Sequence, residues 1–95
     1  MKEVYFKIRG RVQGVGFRRF VVQKAHEIGF LSGWVRNAED GSVEVLVRGD
    51  VEDVERLILF CHQGPLWARV DDVLFLARVT NGFLPLITDG IFESI

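Results

Sequence analysis

A single cysteine, Cys61, is all the thiol this chain has, so neither an internal disulfide nor a cysteine-built zinc cluster can form. That fits a reducing compartment. Charge of one sign is lacking too. Twelve Lys and Arg against thirteen Asp and Glu leave −1, which gives no electrostatic footprint for nucleic acid or an anionic membrane surface. No apolar run approaches the roughly 20 residues of a membrane span. The opening MKEVYFKIRG alternates charged and apolar residues where a secretory signal would carry a continuous apolar core. The chain therefore reads as a soluble, cytoplasmic protein with no nucleic-acid or membrane partner. Internal repeats and low-complexity segments are missing as well. Ninety-five residues leave no room for a second core, so residues 1–95 are read as one domain.

Glycine is what the chain has in concentration. Three fall within seven residues in the stretch GRVQGVGFR, residues 10–18, framed by Arg11 and Arg18. Before it, Val4, Phe6 and Ile8 alternate with Tyr5, Lys7 and Arg9, the period of a half-buried strand. After it, Phe17, Phe20, Val21, Ala25 and Ile28 form one helical stripe, and Gly29 stands where a glycine would end that helix. Residues 33–37 predict a second strand with Trp34 and Val35 on opposite faces. Residues 38–41, Ala-Glu-Asp-Gly, are a hairpin signal, and Val43, Val45 and Val47 mark the returning strand. Asp50 is a candidate N-cap for a second helix with an apolar stripe of Val51, Val54, Leu57, Ile58 and Cys61, ended by Gly64-Pro65. A fourth strand is expected over 70–79, with Val73, Phe75 and Ala77 inward, then a turn at Asn81-Gly82 and a short last strand within 91–95. The order β-α-β-β-α-β is an α+β, ferredoxin-like sandwich: two helices on one face of an antiparallel sheet of four or five strands.

A glycine-rich turn feeding a helix N-terminus aims backbone N–H groups at one spot, which suits a phosphate. The backbone amides of Val12, Gln13, Gly14, Val15, Gly16 and Phe17 are candidate phosphate ligands. Arg18 adds a planar fork of donors matched to phosphate oxygens. The plainer reading of Arg18 is a surface ion pair. No Gly-Lys-Ser/Thr follows the loop, so it is not a Walker A motif, and its glycine spacing is wrong for a dinucleotide fingerprint. Gln13 is read as a loop-shaping hydrogen-bond partner, Trp34, Phe17 and Cys61 as packing residues, and His26 and His62 as helix-surface residues. No carboxylate cluster suggests a metal, and no cofactor is expected.

The loop at 10–18, followed by Gly33-Trp-Val-Arg-Asn37, Asp40-Gly41-Ser-Val-Glu44 and Gly49, resembles the acylphosphatase family, over about residues 4 to 79. The resemblance implies metal-independent hydrolysis of a carboxylic–phosphoric anhydride to a carboxylate and inorganic phosphate, which would also act as an inhibitor. It implies that Arg18 and the loop amides hold the phosphoryl group and that Asn37 orients the attacking water. Such a substrate already carries a good leaving group, so positioning and charge stabilisation suffice. A second reading is the acylphosphatase-like, carbamoyl-phosphate-handling domain of a hydrogenase-maturation carbamoyltransferase. It ranks below on the chain's 95 residues and single cysteine, since that domain belongs to a much longer chain with zinc-finger segments. A third is a non-catalytic anion- or RNA-binding module, because this fold hosts both. The tail departs from the family pattern: Phe83, Leu84, Leu86 and Ile87 are expected to cover an apolar patch or to pair with a second chain, a monomer being the default.

Overall fold

The computed structural model describes residues 1–77 and 84–95. The alternation of Val4, Phe6 and Ile8 becomes β1 (Lys2–Arg11), and the helical stripe after the glycines becomes α1 (Phe17–Ile28). Then come β2 (Ser32–Asn37), β3 (Val43–Gly49), α2 (Val51–Gln63), β4 (Arg69–Leu76) and β5 (Phe92–Ser94). The strands form one sheet in the order β4-β1-β3-β2-β5. β3 lies antiparallel to both β1 and β2, so those two run in the same direction and finish at the same edge of the sheet. That split β-α-β arrangement brings the end of β1 and the end of β2 together.

Both helices lie on one face, over a core of Phe6, Ile8, Val35, Val43, Val45 and Val47 from the strands and Phe17, Val21, Ala25, Val54, Leu57 and Cys61 from the helices. Each Val, Leu, Ile or Phe side chain among them contributes about 1.5–3 kcal/mol of hydrophobic burial. Trp34 points the other way, packing with Tyr5 and Leu46 under Leu84 and Ile87 of the tail. Its indole Nε1–H donates to the Pro85 carbonyl at 2.9 Å. Thus the tail covers an apolar patch of its own chain with Leu84 and Ile87, whereas Leu86 stays exposed.

Several expectations need correction. The fourth strand stops at Leu76, and Ala77 is exposed outside it. Phe75 pairs with Phe6 in register and packs its ring 5.8 Å from that of Phe6, yet it is 58% exposed, since β4 is the edge strand and no further strand flanks it. Val79, the Asn81-Gly82 turn and Phe83 lie outside the described residues. The last strand is shorter than 91–95 and pairs parallel with β2, making the sheet mixed. It reaches that edge because the tail first crosses the open face, tied by Arg48–Asp89 (2.9 Å) and by the Gly90 N–H to Ser32 Oγ (2.8 Å). Val51 is half exposed and stands apart from the buried stripe of α2.

Candidate active site

The loop after β1 anchors itself inward through its apolar side chains. Val12 and Phe17 are buried and Val15 packs partly on the core, while Gly14 and Gly16 between them adopt left-handed backbone with nothing facing the missing Cβ. Any other residue at Gly14 or Gly16 would be strained there. Gly16 is the N-cap of α1, and no side-chain oxygen caps it. The first-turn N–H groups have no intrahelical partner by geometry. That turn also holds no acidic residue, and instead carries Arg18 and Arg19. Two cations sit against the positive end of the helix dipole, an unfavourable arrangement that a bound anion would relieve. Asp50 takes the N-cap position of α2 but likewise makes no side-chain cap hydrogen bond; the contrast lies in the first turn, which there carries Glu52 and Asp53.

Gln13 turns out to be a strap. Its side-chain Nε2 donates to the carbonyls of Ala38 (2.8 Å) and Ser42 (2.9 Å), tying the loop to the β2–β3 hairpin. Two carbonyl partners fix which end of the amide is nitrogen and consume both donors. The Gln13 side chain therefore has no N–H left for a phosphate, and only its backbone amide remains a candidate ligand. Gln13→Ala is expected to cost about 1–2 kcal/mol, at about 1 kcal/mol per hydrogen bond. Gln13→Glu should cost more, because a carboxylate would face two carbonyl oxygens. Urea denaturation of the three proteins checks the order.

The hairpin that receives the strap is itself clamped. Asp40 accepts from Lys7 Nζ (2.7 Å) and from the Ser42 N–H (3.0 Å) and hydroxyl. The Lys7 hydrogen bond first, and those from Ser42 next, hold its carboxyl well below the usual carboxylate range. The hydrogen bond to Asp40 likewise raises Lys7. A lowered folded-state value means that Asp40 stabilises the fold above about pH 4, its unfolded range, and that this contribution is lost as pH falls through the folded value. The contribution of Lys7 is present below about pH 10 and is lost as pH rises through its raised value. Asp40→Asn should therefore unfold more readily than the parent at pH 7, and the gap should close toward pH 2. Denaturation at the two pH values tests it.

At the edge where β1 and β2 end, a cleft of about 970 Å³ is lined by Gly16, Phe17, Arg18 and Asn37. Asn37 is level with Val43, which is level with Ile8, two residues short of Gly10. The register thus brings Asn37 and Arg18 to one cavity from positions nineteen apart in the chain. Val12, Gln13, Gly14 and Val15 lie outside the cleft lining. Beyond the predicted residues, the cleft runs on past Arg19, Val22 and His26 of α1 to Phe92 and Ser94 of β5. The i, i+4, i+8 spacing of Arg18, Val22 and His26 was the available signal in the sequence. His26 is an exposed helix residue as expected, with one addition: its Nε2 lies 3.0 Å from the Phe92 carbonyl, an acceptor, so Nε2 carries the proton. His62 is exposed and is not among the residues lining the cleft. Burial pushes the Cys61 thiol far up, which leaves it an inert core group. Among the described residues, no group of three or more His, Cys, Asp or Glu is arranged to hold a metal, and no helix is long and apolar enough to cross a membrane.

A family model described as acylphosphatase matches residues 4–83. The chain belongs to the acylphosphatase family. It is 50% identical over 70 residues to an acylphosphatase of Methylococcus capsulatus, covering 74% of this chain and 75% of that one. The crystal structure of acylphosphatase from Bacillus subtilis superposes with a TM-score of 0.83 at 31% identity, over 100% of this chain and 99% of that one. The structure of T. kodakarensis HypF contains a similar unit, with a TM-score of 0.77 at 35% identity. There the match spans all of this chain but 12% of the other.

Proposed function

We propose that this chain is an acylphosphatase, a hydrolase that splits the carboxyl–phosphate bond of acyl phosphates without a metal ion. The carrying observation is the shared cleft of Gly16, Arg18 and Asn37 at an uncapped, doubly cationic helix N-terminus. Loop amides and the Arg18 guanidinium hold the phosphoryl oxygens and stabilise charge as it develops. Asn37 orients a water for attack on phosphorus. The phosphorus–bridging oxygen bond breaks, the carboxylate leaves with the electron pair, and the water's oxygen and protons end in phosphate and solvent. Family membership supports this reading, as does the acylphosphatase name of relatives 50% identical to it.

The same reading makes the chain a monomeric, single-domain cytoplasmic enzyme whose partner is a small acyl phosphate. The likeness to a part of HypF favours keeping carbamoyl phosphate as a second substrate to assay. An RNA-binding role is disfavoured, since a sheet that stacks bases needs aromatics open to solvent. Here Tyr5 and Trp34 are buried beneath Leu84 and Ile87. Benzoyl phosphate hydrolysis, followed by ultraviolet absorbance with EDTA present, tests the proposal. Turnover competitively inhibited by phosphate is expected, and no turnover of any acyl phosphate would overturn it.

A further inference from the structure

Gln13 lines no part of the cleft, yet its side chain joins the two segments that meet there. β3 lies between β1 and β2, so the loop after β1 and the Asn37 that ends β2 belong to strands about 10 Å apart, two strand spacings. The ladder that links them stops at Val43, which is level with Ile8 on one side and Asn37 on the other. Beyond it the loop and the β2–β3 hairpin are tied by the Gln13 amide. Both carbonyls that it meets already have a donor of their own. The Ala38 carbonyl accepts from the Gly41 N–H at 3.2 Å, and the Ser42 carbonyl accepts from the Ala38 N–H at 2.9 Å. The hairpin is thus closed without Gln13, which takes the remaining lone pair on each oxygen. What the strap sets is the place of the hairpin relative to the loop, at a point one residue from Asn37. The Lys7–Asp40 clamp differs, because it starts inside the ladder and holds the hairpin tip.

We infer that Gln13 is a positioning residue for the hydrolysis: its strap sets the distance between the phosphoryl cradle and the water held by Asn37. The inference rests on the hydrolase reading above. An attacking water must sit within about 3–3.5 Å of phosphorus, and a misplacement of about 1 Å can cost on the order of 10²-fold in rate. The cradle itself needs no strap, because Val12, Val15 and Phe17 anchor it in the core and Gly14 and Gly16 shape its turn. Losing the strap therefore leaves the phosphate ligands in place and lets the hairpin drift from them. The cost falls on the step that needs both.

The test is a double-mutant cycle on benzoyl phosphate with Gln13→Met, which keeps the length of the side chain and removes its donors, and Asn37→Ala. In the parent background Gln13→Met should lower kcat at least ~10-fold, while the inhibition constant for phosphate shifts by less than ~3-fold. In the Asn37→Ala background the same change should lower kcat further by less than ~2-fold, because the water that the strap serves to place is no longer held. Equal losses in both backgrounds, or a phosphate constant that weakens as much as kcat falls, overturn the inference and leave the hydrolase reading standing. So does a Gln13→Met protein with the kcat of the parent. Circular dichroism verifies folding, and if Gln13→Met does not fold, Gln13→Ala takes its place in the cycle. A parent protein that hydrolyses no acyl phosphate overturns the hydrolase reading itself. Parental turnover in Asn37→Ala overturns the water-orienting role, and the inference with it. Both of those outcomes are read in proteins that keep Gln13, so they are distinct from a failure of the strap.

Discussion

Arg18→Ala is expected to lower kcat on benzoyl phosphate by about 10²–10³-fold, the range seen when one preorganised donor to a developing charge is removed. Phosphate inhibition should weaken in parallel, because the proposed role has the fork bind product as well as transition state. Stability should move by no more than about 0.5 kcal/mol, since Arg18 is an exposed residue that no ion pair ties down among the described residues. Removing it even lifts one cation from the positive end of α1. This combination, a large kinetic loss with unaltered stability, separates a phosphoryl ligand from the plainer reading of a surface ion pair, which would lose neither rate nor phosphate binding. Arg18→Lys should fall between the two: the charge stays, while the bidentate fork is lost. Stopped-time ultraviolet assays and urea denaturation of the same preparations give both halves of the comparison.

The elements that carry the site were legible because each is local. A period of two in Val4, Phe6 and Ile8, a glycine-rich turn, and a stripe of Phe17, Val21 and Ala25 needed no distant information. Trp34 and Val35 on opposite faces followed from the same alternation. Other features depend on partners far along the chain. Gln13 is one polar residue in a loop until the carbonyls of Ala38 and Ser42 arrive beside it. β5 is three residues long, too short for a periodic signal, and its parallel register exists only because the tail is pinned across the open face by Trp34, Ser32 and Arg48. Phe75 shows the limit of pattern alone. Its face was right and its burial was not, since alternation reports which side a residue takes and says nothing of what lies above it. The cleft wall at Phe92 and Ser94 went unread for the same reason.

Asn37→Ala should lower kcat at least ~10²-fold if its amide orients the attacking water, because misplacing the nucleophile forfeits much of the positional advantage. The inhibition constant for phosphate should shift by less than about twofold, as the proposed ligands of that anion are the loop amides and Arg18. This split distinguishes Asn37 from Arg18, whose loss weakens both. The fold gives a reason to expect the split. Asn37 ends β2, level with Val43 and Ile8, and its hairpin is held from outside by the Gln13 strap and the Lys7–Asp40 clamp. Neither support uses the Asn37 side chain, so the variant should keep its stability. Asn37→Asp sharpens the point: the shape is retained, but a carboxylate beside a phosphoryl group repels it, so phosphate inhibition should now weaken too. Were Asn37 merely a hairpin residue, alanine there would leave turnover near that of the parent, and aspartate, equally at home near a turn, would do the same.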